Sequence, residues 1–172
     1  ARLVAPDHDR RLVVLSDASG RALAFAPGHL SGTAAPGAPG TSVVAGHRDT
    51  HFAFLREMAP GDRIEVEDAT GRVHRYRVVE TAVVGSHDAR VAAEAARDRL
   101  ALVTCWPFDA IRPGGDLRWV VLAEREPRPP VPPVGRGTGT PRAAQYALAS
   151  GAAGRASRAV MPRAPAAALR RR

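Results

Sequence analysis

Cys105 is the only cysteine in a chain of 172 residues, and it stands at the end of the apolar run Leu100-Ala101-Leu102-Val103, just before Trp106 and Pro107. A thiol is mostly protonated at neutral pH, so nucleophilic chemistry at Cys105 requires a base or a cation beside it. Six histidines are available. His47 is the strongest candidate, because it too follows a strand-like run, Thr41-Ser42-Val43-Val44-Ala45, with Gly46 between them to let the backbone turn. Two such strand ends on one rim of a sheet would set imidazole beside thiol, where His47 exchanges protons with Cys105 and with a departing amine. Acyl transfer also needs a group that steadies a developing oxyanion. Arg118, near the start of the strand after the cysteine, is placed for that, and Arg112 in the intervening loop competes with it.

Each candidate has a plainer reading. A free cysteine is most often a small buried hydrophobe, and an arginine on an alternating strand is often a solvent-facing charge. His8, His29, His51, His74 and His87 have weaker claims and read as surface residues, with His29 and His51 also able to line a cleft. A metal site is not expected, since a zinc centre built on one cysteine needs three further ligands, and no cofactor is implied.

The elements that would carry these residues are mostly short strands. Arg2-Leu3-Val4 and Leu12-Val13-Val14-Leu15 flank a polar turn, and Ala22 to Phe25 suits a helical turn. Pro27-Gly28 and the Gly32-to-Gly40 stretch read as one long irregular connection. Phe52, Phe54, Leu55 and Met58 would line one side of a short helix that Pro60-Gly61 stops. Ile64 and Val66 alternate with charged residues, Asp68 to Gly71 turns the chain, and the run from Val73 to Val84 alternates again, which predicts a hairpin. In that second strand Val73, Arg75, Arg77 and Val79 share one side, and His74, Tyr76 and Val78 the other. Val91 to Ala96 suits a loop or one or two helical turns. The cysteine strand, a loop around Pro113-Gly114-Gly115 and a last strand from Leu117 to Ala123 complete the list. About eight short strands with little helix predict an all-β fold, a closed or nearly closed barrel without unprotected edges.

The net charge of +8 resembles a nucleic-acid signature until the chain is divided at Pro127. Residues 1–126 hold 16 arginines against 17 acids, a balance of −1, whereas residues 127–172 hold nine arginines, no acid and eight of the 15 prolines. The folded domain is therefore expected over 1–126, and a disordered basic tail over 127–172. The tail is either a solvated extension or a segment drawn to anionic lipid or nucleic acid. All 25 basic residues are arginine, which reads as codon bias. No apolar run reaches 18 residues, so no membrane span or signal peptide is expected within the chain. The chain opens on Ala1 and not on Met, which leaves room for an anchor upstream.

Gly46-His47-Arg48 after an apolar strand, Leu102-Val103-Thr104-Cys105 about sixty residues later, and Arg118 on the last strand together resemble the active-site pattern of the sortases. Those are cysteine transpeptidases on an eight-stranded β-barrel. The likeness runs from about Leu12 to Glu124, and Cys-Trp-Pro-Phe-Asp is most similar to the branch found in Gram-negative bacteria. The resemblance implies Cys105 as nucleophile, His47 as general acid/base, and Arg118 as the residue that positions substrate and steadies the oxyanion. Thr104, Trp106 and Arg112 are expected to touch substrate. It further implies cleavage of a Leu-Pro-x-Thr-Gly (LPxTG-like) sorting signal between Thr and Gly through a thioester, then transfer to an amine or to water. The implied partners are a secreted or surface protein bearing that signal and an amine acceptor, at the cell envelope on the extracytoplasmic, periplasmic side, with no nucleic acid. Ala101 departs from the family's Thr-Leu-x-Thr-Cys pattern, a change in strand packing more than in chemistry.

Two other readings stand beside this one. The cysteine transpeptidases that cross-link peptidoglycan stem peptides place His-Gly directly before their cysteine, whereas here Val103-Thr104 precedes Cys105. A barrel that binds nucleic acid would carry basic residues and stacking aromatics on its folded part, which is nearly neutral and poor in aromatics.

Overall fold

The structure is a computed structural model that describes residues 1–86, 97–111 and 115–127. The chain divides into two units, Ala1–Pro130 and Val131–Arg172. The second unit lies outside the described residues, as do the expected helical turns at Val91 to Ala96, His87, Arg112 and nearly all of the basic tail.

Eight strands form a single sheet: β1 (Arg2–Ala5), β2 (Arg10–Val13), β3 (Gly28–His29), β4 (Thr41–Ala45), β5 (Arg63–Glu67), β6 (Val73–Gly85), β7 (Arg99–Cys105) and β8 (Leu117–Arg125). Their order across the sheet is β2-β1-β5-β6-β8-β7-β4-β3. The sheet curls until its two ends meet, where Leu15, just past β2, bridges to Gly28 of β3. Leu15 N–H donates to Pro27 O at 2.8 Å and His29 N–H to Leu15 O at 2.9 Å. The all-β, barrel-like expectation holds, with one gap. The connection before β4 is not wholly irregular, since Gly28 and His29 form a short strand within it. Only a glycine fits there, because a Cβ on Gly28 would lie 2.1 Å from Asp17 O.

Period-2 patterning builds the core. Leu3, Val44, Ile64, Val66, Tyr76, Val78, Leu100, Leu102 and Val121 turn inward from six strands and are buried, each contributing roughly 1.5–3 kcal/mol if aliphatic. In β6, Tyr76 and Val78 are buried while Val73 and Val79 are exposed, as alternation predicts. A bulge between Val78 and Glu80 then shifts the pairing with β8. The expected helix over Phe52 to Met58 is a single 3₁₀ turn, Ala53–Arg56. Phe52, Phe54, Leu55 and Met58 are all buried, so this segment plugs the core as a compact turn and does not lay one face on it. No helix among the described residues is long and apolar enough to cross a membrane.

A charged lock closes the end of the sheet where β8 finishes. Arg125 donates to Asp98 at 3.1 Å, to Gly37 O at 2.7 Å and to His74 Nδ1. His74 Nε2 in turn meets Asp68 at 2.7 Å. Asp98 also accepts from Gly40 N–H at 2.8 Å, so the loop that leads into β4 is held at two points. The His74 bond, joined by Thr70 and backbone N–H groups, holds the Asp68 carboxyl well below the usual aspartate value of 3.8. The unfolded chain then binds a proton more readily than the folded one as the medium is acidified. The stabilisation is whole above pH 3.8 and is lost as pH falls towards the folded value. Thermal melts from about pH 5 down to about pH 2 should show a shallower loss of stability in Asp68→Asn than in the wild type. Parallel curves would mean that this carboxylate does not contribute.

Candidate active site

The central feature is the register of β7. It pairs with β4 in parallel, ending on Ala45 opposite Val103, and with β8 in antiparallel, ending on Cys105 opposite Arg118. His47 and Cys105 therefore each lie two residues beyond the same rung, and Arg118 stands directly across from the thiol on the other side. Directly opposed residues in an antiparallel pair have Cα atoms about 4.5–5.5 Å apart. Three groups separated by up to 71 positions in sequence meet on one rim.

Strand parity puts Cys105, Val103 and Ala101 on the outer face, with Ala45 and Val43 from β4 and Arg118, Val120 and Leu122 from β8. Val43, Ala101, Val120 and Leu122 form a second apolar cluster on that face, with Val84 and Val103 packed against it. Ala45 and Val103, just behind the rim, are half-buried, as are Cys105 and Arg118, while His47 is exposed. Arg118 Nη1 donates to Gly115 O at 2.5 Å and Leu117 O at 2.9 Å, its own loop's carbonyls.

The backbone around His47 is held from several sides. Gly46 N–H donates to Val103 O at 3.1 Å, extending the β4–β7 ladder by one rung. Thr104, 2% exposed, turns inward and donates its hydroxyl to Gly46 O at 2.7 Å. Phe52 N–H closes the turn onto His47 O at 3.0 Å. The Phe52 ring lies so close to Gly46 that a Cβ there would come within 2.8 Å of it. Glycine is thus favoured at 46 by the close approach of Phe52 and not by a left-handed backbone.

Two of the expected substrate contacts, Thr104 and Trp106, have partners within the domain. Thr104 is buried and spends its hydroxyl on the Gly46 carbonyl, so it belongs to the frame that holds the end of β4. Trp106 is half-buried and stacks on Trp119 at 5.3 Å, with Phe108 set edge-on to both. Trp119 anchors this cluster by donating Nε1–H to Leu55 O at 3.0 Å. Arg112 lies outside the described residues.

Sequence reasoning passed over Arg48. It is 4% exposed, and donates from Nη1 to Pro107 O at 2.6 Å and from Nη2 to Ala110 O at 2.5 Å, both in the loop after Cys105. An arginine directly after the candidate base was the available signal, but nothing in the sequence distinguishes a buried arginine from a solvated one. Among the described residues no group of three or more His, Cys, Asp or Glu side chains could hold a metal ion.

A curled eight-stranded β-sheet whose register brings Cys105, His47 and Arg118 to one rim defines the class: a mostly-β, barrel-like domain with its single cysteine at a strand end. Comparison with known proteins places it further: the sortase domain matches residues 3–126, and the chain belongs to the sortase family. It is 28% identical to sortase D of Bacillus subtilis over 99 residues, 57% of this chain and 49% of that protein. The chain thus spans about half the length of that curated relative. Among solved structures it is similar to sortase A from Corynebacterium diphtheriae, with 27% identity, a TM-score of 0.67, and 77% of this chain matched to 62% of that one. It is also similar to sortase C-1 from Actinomyces oris, with 30% identity, a TM-score of 0.65, and 74% of this chain matched to 73% of that one. The peptidoglycan cross-linking family and the nucleic-acid-binding barrel are not favoured by these matches.

The frame makes a direct prediction. Thr104→Val keeps shape but leaves the Gly46 carbonyl unpaired in the interior, and should cost about 1–3 kcal/mol in urea unfolding. A neutral substitution would mean that Thr104 does not hold the end of β4.

Proposed function

We propose that this chain is the catalytic domain of a sortase-type cysteine transpeptidase. The observation that carries the reading is the pairing register that puts Cys105 between His47 and Arg118. In this reading Cys105 Sγ, as thiolate, attacks the carbonyl carbon between Thr and Gly of an LPxTG-like sorting signal. The tetrahedral oxyanion is met by Arg118, which exchanges a carbonyl of its own loop for the substrate oxygen. Protonated His47 gives its proton to the departing glycine amine, the C–N bond breaks, and a thioester remains on Cys105. Neutral His47 then takes a proton from an incoming amine, or from water, as that nucleophile displaces the thiol.

Half-buried Ala45 and Val103 offer an apolar surface directly behind the thiol, suited to an extended peptide rich in Leu and Pro. The partners proposed are a secreted or surface protein bearing the signal and a second molecule with a free amine. The location proposed is the cell envelope, with the domain on the extracytoplasmic side. The Cys-Trp-Pro-Phe-Asp run suggests the Gram-negative branch, but the relatives above are named as sortases A, C and D, so the branch remains a resemblance in that one motif.

Intact mass after incubation with an LPxTG-type peptide, with and without an added amine, tests the chemistry. An acyl adduct on the wild type, absent from Cys105→Ala and discharged faster by the amine, is expected. A thiol that alkylates readily but never acylates would discard the substrate, and an unreactive thiol would discard the catalytic reading altogether. Arg118→Ala should lower turnover by at least about tenfold. Wild-type turnover in that variant would remove Arg118 from the oxyanion role.

A further inference from the structure

We infer that Arg48 is a positioning residue that sets the geometry between His47 and Cys105. The inference rests on the reading of those two as the reacting pair. Beyond Ala45 and Val103 the β4–β7 ladder has one more rung, Gly46 to Val103; the chain after β4 then leaves the sheet, while β7 runs on to Cys105 paired with β8 alone. His47 and Cys105 stand where strand pairing no longer fixes the distance between β4 and β7. Arg48 crosses that gap. It is covalently next to His47, and its two terminal nitrogens take the carbonyls of Pro107 and Ala110 at 2.6 and 2.5 Å.

The physical character of the contact argues for a purpose beyond packing. The Arg48 side chain is only 5% exposed, while Asp49, its carboxylate partner at 3.3 Å, is 68% exposed. A guanidinium withdrawn from water costs several kcal/mol unless its donors are met, and here backbone carbonyls of the cysteine loop meet them. Two carbonyls three residues apart are bridged by a rigid planar fork that an ammonium cannot reproduce. The turn holding His47 and the loop following Cys105 are thereby joined as one body, so that a shift of either carries the other with it. A misplacement of about 1 Å in a proton-transfer pair costs on the order of a hundredfold in rate, which sets the scale of what such a brace protects. Arg48 touches neither substrate nor the reacting atoms in this scheme, and acts through His47.

The test uses the whole chain, with Arg48→Lys and Arg48→Gln beside the wild type and His47→Ala. Urea unfolding first identifies which variants are folded under assay conditions. The pH profile of Cys105 alkylation by iodoacetamide is then measured, along with kcat and KM on an LPxTG-type peptide. The wild-type profile should carry an inflection that His47→Ala abolishes, and each folded Arg48 variant should lose that inflection too. Turnover should fall tenfold or more in kcat with KM changed less than about twofold, since the loss is in proton transfer and not in peptide binding. Asp68→Asn, which weakens the lock at the far end of the sheet, should keep both the inflection and kcat.

An Arg48 variant that is folded and retains the wild-type profile would overturn the proposal. So would an Asp68→Asn enzyme that loses as much, because Arg48 would then matter only for stability. A wild-type profile that His47→Ala leaves unchanged would overturn it as well. If the wild type cleaves no such peptide, the substrate reading fails, while the alkylation profiles still decide the role of Arg48.

Discussion

The parallel pairing of β4 with β7 is the constraint on which the site depends. Its side-chain period is two, so a slip of one residue would send Cys105 inward and Thr104 out to the rim. The inner face prevents that slip. Val44, Leu100 and Leu102 are wholly buried on it, and moving them into water would cost several kcal/mol in lost burial. The hydrophobic core thus sets a chemical register: the buried residues of the inner face decide which face the thiol occupies.

β8 links the two ends of the molecule. At its start Arg118 faces Cys105, and at its finish Arg125 grips Gly37 and Asp98, and through Asp98 the backbone of Gly40. The loop that delivers the chain into β4 is therefore tied to the same strand that flanks the thiol. Between the ends, the outer face changes in character along its length. The rim carries Cys105 and Arg118, the middle rows are apolar, and the last row pairs Arg99 with Glu124 at 3.0 Å. Charge at one end and the proposed chemistry at the other leave an apolar middle, the surface that the proposed peptide would cover.

Past the last rung, side chains take over from the sheet. Trp106, Phe108 and Trp119 pack the underside of the loop after Cys105, with Arg56 5.0 Å from the centre of the Phe108 ring. Gly46, Phe52 and Thr104 form the corresponding support beneath His47. Arg48 spans the two. Preorganisation of this kind would hold the proposed reacting pair in place before any ligand arrives.

The strands, the hairpin, the near-neutral folded part and the rim residues were legible from sequence, because alternation, turn residues and isolated chemical groups are local signals. The cysteine-histidine-arginine pattern named a family that the whole domain then supported. What the sequence left open was orientation and contact. Thr104 reads as a neighbour of the nucleophile and so as a substrate contact, yet parity and the Gly46 carbonyl turn it inward. Gly28 reads as loop, and becomes a strand only because Leu15 arrives beside it. Arg48 reads as one arginine among 25, and becomes a brace only because the loop beyond Cys105 presents two carbonyls to it. The sequence by itself determined which residues alternate, which turn and which can react, since those depend on neighbours along the chain. Only the tertiary structure decided which of them meet, because burial and hydrogen bonding between distant segments are properties of the closed sheet and of no single stretch within it.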